Sequence, residues 1–132
     1  MRVLFVCREN TCRSVMAENV FRKLSSGRFD VMSAGVEIAE KFDETALKVL
    51  EKKGYPAVRR NPKKLEDVNL NEFDILISVC DETECVAVNH PRIERWNVKD
   101  PKGKEEKEYY RILEIIEKKV SDLVRRIENE GT

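Results

Sequence analysis

At 132 residues the chain is long enough to bury one core and too short for two, and its 25 Lys plus Arg balance 25 Asp plus Glu. That balance leaves no global field to draw it to nucleic acid or to an anionic membrane surface, and no apolar run approaches the roughly eighteen residues of a spanning helix. The start Met1-Arg2-Val3-Leu4 lacks a signal-peptide pattern, so a cytoplasmic protein is expected, with its thiols reduced unless they cycle.

Residues 2–6 are expected to form a strand, since Val3-Leu4-Phe5-Val6 is an unbroken apolar run. Residues 14–26 then show helical apolar spacing through Val15, Met16, Ala17, Val20 and Phe21. Between them lies Cys7-Arg8-Glu9-Asn10-Thr11-Cys12-Arg13-Ser14, so a thiol sits where a strand turns into a helix. Five residues between Cys7 and Arg13 let the backbone curl into a ring with its N–H groups inward, and the helix start adds partial positive charge there. The result is an anion cup. The same field, helped by the Ser14 hydroxyl, favours thiolate over thiol at Cys7, while the planar fork of Arg13 can grip two oxygens of a bound oxyanion. A buried Cys7 that merely packs, with Arg13 as a surface charge, would leave the flanking strand and helix, Asn10 and Ser14 unexplained.

A second strand is expected over residues 29–34, ending at Gly35. Asp43 should cap a helix that runs to Lys53 and is stopped by Gly54 ahead of Tyr55-Pro56. Residues 59–71 read as a polar connection, and the apolar run over residues 73–79 as a third strand closed by Cys80, with Cys85 in the polar stretch that follows. His90, the only histidine, precedes Pro91 in a loop and reads as a solvated surface residue. Residues 92–98 form a short fourth strand followed by Lys99-Asp100-Pro101, where Pro101 keeps Asp100 out of a helix. The last element is a long helix over residues 104–128 with Tyr109, Ile112, Leu113, Ile116, Val120, Leu123, Val124 and Ile127 on one face, a stripe that reads as core packing. Strands alternating with helices mean a parallel α/β sandwich, expected as one domain over residues 1–132.

Cys7, Asn10, Cys12, Arg13 and Ser14, continued by Met16-Ala17-Glu18 and Ser33-Ala34-Gly35, resemble the phosphate loop and its surroundings in the low-molecular-weight protein tyrosine phosphatases and in the thioredoxin-coupled arsenate reductases of the same fold. The resemblance implies a three-layer sandwich with a four-stranded parallel sheet of order 2-1-3-4. It also implies an oxyanion-binding loop of Arg8, Glu9, Asn10, Thr11, Cys12 and Ser14, with Cys7 as nucleophile, Arg13 as clamp and Asp100 as general acid. Two positions depart from the pattern: Glu9 stands where glycine is usual, and Val15 where phosphatases commonly have proline. Glu9 brings a carboxylate to the rim of an anion site, which should weaken binding unless Arg8 or a lysine offsets it.

The remaining cysteines separate the two branches, for the four fall as Cys7-x4-Cys12 and Cys80-x4-Cys85. The reductases use a second thiol pair to relay a disulfide away from the nucleophile, with about six residues between its members rather than the spacing seen here. By resemblance, Cys80 attacks Cys7 in the arseno adduct, Cys85 then takes over Cys80, and a thioredoxin-like reductant resolves the surface disulfide. Arsenate reduction is therefore expected. The alternative is a phosphatase for phosphotyrosine or phosphoarginine in which Cys12 guards Cys7, and Thr11 lends it weight because bacterial arginine-phosphate phosphatases of this fold carry threonine there. Four thiolates would also suit zinc, but its knuckles more often leave about two residues between ligands. Neither a metal nor an organic cofactor is expected, and a monomer is, with an arsenate- or phosphate-like oxyanion and the reductant as partners. Some reductases of this fold hold potassium through residues matching Asn10, Glu18 and Ser33 plus an aspartate. Lys63 or Lys64 stands where that aspartate would fall, and its ammonium is expected to take the ion's place.

Overall fold

The computed structural model describes residues 1–37, 41–57, 61–81 and 90–130. Strands β1 (Arg2–Cys7), β2 (Asp30–Gly35), β3 (Ile75–Cys80) and β4 (Ile93–Asn97) form one parallel sheet in the order β2-β1-β3-β4. The helices are α1 (Arg13–Leu24), α2 (Glu44–Lys52) and α3 (Glu106–Glu130), joined by two single-turn 3-10 helices, Leu65–Asp67 and Leu70–Glu72. The sheet order and the α/β sandwich are those expected from the sequence.

Side-chain alternation divides the sheet into two faces. Val3, Phe5, Ile75, Ile77 and Val79 enter the larger core, together with the buried faces of α1, α2 and α3. Leu4, Val6 and Leu76 enter a smaller one, covered by Phe73 and by the partly buried Met32, Leu65, Val68, Leu70 and Ile93. The layer on that second face thus comes largely from the 3-10 turns, in a stretch whose polar composition predicts only a connection. β1 lies between β2 and β3 with both faces covered, which is why its sequence is unbrokenly apolar.

All eight residues of the predicted α3 stripe are buried. Each large aliphatic side chain so placed contributes about 1.5–3 kcal/mol relative to exposure. The helix starts at Glu106 rather than residue 104 because Lys104 still belongs to a turn, its N–H donating to the Pro101 carbonyl at 2.9 Å. α1 stops at Leu24, short of residue 26, where Ser26 (φ 53°) and Gly27 (φ 73°) turn left-handed. α2 is capped as predicted, with Asp43 Oδ1 accepting from the Thr45 N–H at 3.0 Å and the Ala46 N–H at 3.4 Å.

His90 corrects the sequence reading. It is half-buried, its Nδ1 accepting from the Arg92 N–H at 3.0 Å and its Nε2 lying 2.8 Å from the Phe73 carbonyl. These ring contacts pin the approach to β3 against the approach to β4. All four strands run the same way, so Cys7, Gly35, Cys80 and Asn97 end on one edge of the sheet, where ligand sites of open parallel sheets form.

Candidate active site

Residues 8–12 link β1 to α1, and their shape is imposed from outside. The Cys7 carbonyl accepts from the Val36 N–H (3.3 Å), that of Arg8 from the Glu37 N–H (2.8 Å) and that of Thr11 from the Asp43 N–H (3.0 Å). In a trans peptide the N–H points opposite to the C=O, so these outward carbonyls aim the N–H groups of Arg8, Glu9 and Cys12 inward. Asn10 completes the curl at φ 56°, a left-handed conformation that asparagine tolerates better than most residues. Gly35 makes room for it. A methyl group there would lie 2.6 Å from the Asn10 nitrogen and 2.7 Å from the Glu9 carbonyl carbon.

The side chains beneath the loop form a directed chain of hydrogen bonds. The Lys63 N–H donates to Asn10 Oδ1 at 2.8 Å, which fixes the orientation of the amide. Asn10 Nδ2 must then donate, and it does so to Ser14 Oγ (3.0 Å) and Ser33 Oγ (2.8 Å). Because both hydroxyl oxygens are already accepting, their protons are directed onward. Ser14 points at Cys7 Sγ, 2.9 Å away, and Ser33 donates to Glu18 Oε1 at 2.8 Å. The other oxygen of Glu18 takes Arg22 Nη2 at 2.8 Å. Cys7, Asn10, Ser14, Glu18 and Ser33 are all buried.

Here the lysine expectation fails. Lys63 reaches the loop by its backbone, its ammonium lying 3.8 Å from Met32 Sδ, and Lys64 pairs with Glu66 at 2.9 Å. Arg22 pairs with Glu18 instead, one helical turn along α1, and so reaches the carboxylate without leaving the helix face.

Arg13, the first residue of α1, is buried at 2% exposure, and its Nη1 donates to the Val98 carbonyl at 2.9 Å. Its Nη2 stands 3.6 Å from Asp100 Oδ2, which brings the turn after β4 up to the first residue of α1. The same turn carries Lys102, whose ammonium pairs with Glu9 at 2.9 Å, while Arg8 pairs with Glu37 at 3.5 Å. Of the two offsets foreseen for Glu9, the lysine is therefore the one realised. Cys12 is buried, and burial first, then the carboxylates of Asp43 and Asp100, push its thiol well above the ordinary value, so it stays protonated. Asp43 in turn accepts from the Tyr109 hydroxyl at 2.7 Å, tying the loop to α3.

Cys80 closes β3, buried, with Ser78 Oγ 3.3 Å from its sulfur. Val6 pairs with Ser78 in register, and alternation puts Cys80 on the Val6 side of the sheet and Cys7 on the other. The two thiols thus end adjacent strands while facing opposite ways. Cys85 lies outside the described residues. Arg22, Val98, Lys102, Asp43 and Tyr109 were not anticipated as parts of the site; Asp43 and Tyr109 were read only as a helix cap and a core residue, and Lys102 left a trace in the need to neutralise Glu9. Among the described residues no group of three or more His, Cys, Asp or Glu could hold a metal ion, and no helix is long and apolar enough to cross a membrane.

The family model described as low molecular weight phosphotyrosine protein phosphatase matches residues 2–132. A glutaredoxin arsenate reductase from Synechocystis is 29% identical, the match covering 96% of this chain and 98% of the relative. Among solved structures, an arsenate reductase from Archaeoglobus fulgidus superposes with a TM-score of 0.85 at 42% identity, over 92% of this chain and 98% of that one. A low molecular weight phosphotyrosine phosphatase from Vibrio cholerae gives a TM-score of 0.88 at 25% identity, over 100% of this chain and 99% of its own.

Proposed function

Because the chain belongs to the low molecular weight phosphotyrosine protein phosphatase family, we propose that it uses that family's oxyanion loop to reduce arsenate to arsenite. Arsenate rests on the inward N–H groups and on Arg13. The Cys7 sulfur, hydrogen-bonded by Ser14, attacks arsenic; an As–S bond forms, and one oxygen leaves as water with the proton of Asp100. Cys80 then attacks the Cys7 sulfur. The S–As bond breaks with its electron pair on arsenic, which leaves as arsenite, and a Cys7–Cys80 disulfide holds the two-electron oxidation. Cys85 displaces Cys7 from that disulfide, and an external dithiol of the thioredoxin type reduces the Cys80–Cys85 pair. The oxyanion enters as free substrate, the protein acts as a cytoplasmic monomer, and the chemistry needs neither metal nor organic cofactor.

One observation carries the choice of reductase over phosphatase: a second buried thiol ends the strand next to that of Cys7. Ester hydrolysis needs only water to resolve the Cys7 adduct and has no use for it. Since Cys80 faces the other side of the sheet, its attack requires the end of β3 to turn until the two side chains converge in disulfide geometry. The test is arsenate turnover with thioredoxin and, separately, glutaredoxin with glutathione, run beside aryl phosphate hydrolysis on the same preparation. Cys80→Ser is expected to stop the first and spare the second. Catalytic arsenate reduction surviving in Cys80→Ser would remove the relay and leave Cys80 as packing.

A further inference from the structure

Glu9 takes no part in the chemistry above, yet its carboxylate stands at the rim of the oxyanion loop. Lys102 Nζ lies 2.9 Å from Glu9 Oε2, a contact between residues 93 positions apart in the chain. The backbone N–H of the same Lys102 donates to Asp100 Oδ1 at 3.0 Å, and the other Asp100 oxygen faces Arg13 Nη2 at 3.6 Å. Glu9, Lys102, Asp100 and Arg13 therefore close a ring around the mouth, completed by the chain from Glu9 to Arg13. The acid-bearing turn is stiff: Pro101 is buried, and Gly103 (φ 82°) lets the Lys104 N–H reach back to the Pro101 carbonyl at 2.9 Å. The bond to Glu9 raises the Lys102 ammonium above its ordinary value, so Lys102 keeps its charge at neutral pH.

We infer that Glu9 and Lys102 form a latch across the site, one that holds the Asp100 turn against the oxyanion loop and selects free tetrahedral oxyanions over phosphate esters. The inference rests on the roles proposed for Cys7, Arg13 and Asp100 and adds a substrate preference to them. A free arsenate or phosphate has no substituent that must pass through the ring. An ester carries a group that must leave through the ring, and that group parts the pair. The side chains of Lys102 and Glu9 are 50% and 34% exposed, so the pair is weak enough to open, at a cost of about three- to fivefold in relative efficiency. Lys102 has a second effect: it cancels the negative charge that Glu9 would otherwise present to an incoming dianion.

The experiment compares Glu9→Gln, Lys102→Met, Lys102→Arg and the charge swap of Glu9→Lys with Lys102→Glu, each in the reduced full-length protein. Binding of inorganic phosphate is read by calorimetry, and kcat/KM is measured for arsenate and for p-nitrophenyl phosphate. Glu9→Gln is expected to raise ester efficiency relative to arsenate about three- to fivefold. Lys102→Met should open the latch as well, but weaken phosphate binding by a similar factor because Glu9 is left unpaired. Lys102→Arg and the charge swap should return both quantities toward wild type. An ester preference unchanged in Glu9→Gln, or a swap no better than Lys102→Met, overturns the latch. If the wild type reduces no arsenate, the reductase reading fails, while phosphate affinity set against ester efficiency still decides the latch.

Discussion

Gly35 acts through a missing methyl group. A Cβ at this position would press on the backbone of Glu9 and Asn10, and neither can retreat while their neighbours are bonded to residues 36 and 37. Gly35→Ala should cost about 1–3 kcal/mol by denaturant melt and weaken inorganic phosphate binding more than any exposed substitution on α1. Cys7→Ser should abolish arsenate reduction and aryl phosphate hydrolysis together, since a serine hydroxyl stays protonated where a thiolate is needed; either rate near wild type would remove Cys7 from its proposed role. Mass spectrometry after brief alkylation at neutral pH should find Cys12 lagging, because a thiol held above its ordinary value offers little thiolate. The consecutive residues Cys7 to Ser14 were legible in the sequence because their spacing is their geometry. Val98 and Lys102 were not, since a carbonyl and a long flexible side chain become site components only after β4 has been laid beside β3.

Among the elements, α3 was the most readable, because a buried stripe at helical period names its own face. Neighbouring isoleucines test that face directly. Ile116 is fully buried and Ile115 is 39% exposed, so Ile116→Ala should lower stability by about 2–5 kcal/mol while Ile115→Ala changes it by about 0.5 kcal/mol or less. The turns Leu65–Asp67 and Leu70–Glu72 were unreadable for the converse reason: three residues cannot display a period. Yet Leu65 and Leu70 help cover the second face of the sheet. Composition alone made that stretch look like a solvated connection. His90 misled similarly, as its two ring contacts are to backbone groups that no side-chain pattern announces.

For the whole molecule, two tyrosines fasten α3 to the rest. The Tyr109 hydroxyl donates to Asp43 at the start of α2, and that of Tyr55, just beyond α2, donates to Glu117. Burial first, then these carboxylates, raise both phenols above the ordinary 10.0, and burial likewise raises Cys12 above 9.0. A group raised in the folded state contributes stability that is fully present below its unfolded value and fades as pH climbs through that value toward the folded one. Thermal stability should therefore decline from about pH 9 upward, Cys12 contributing first and the tyrosines about a unit later. Tyr55→Phe and Tyr109→Phe should each flatten the decline in melting curves recorded between neutral and strongly alkaline pH; an unchanged slope in both would mean that the phenols do not set it.

Under the oxyanion loop the protons run one way, from the Lys63 N–H into Asn10 Oδ1 and from Asn10 Nδ2 out through the two serines, and this gives the site a polarity that an atom-for-atom replacement can reverse. Asn10→Asp keeps the shape and the Lys63 contact, but a carboxylate only accepts. Ser14 and Ser33 would have to turn their protons back toward residue 10, so the sulfur of Cys7 would lose its donor and Glu18 its serine. One nitrogen exchanged for one oxygen would leave the backbone cup standing with its wiring run backwards.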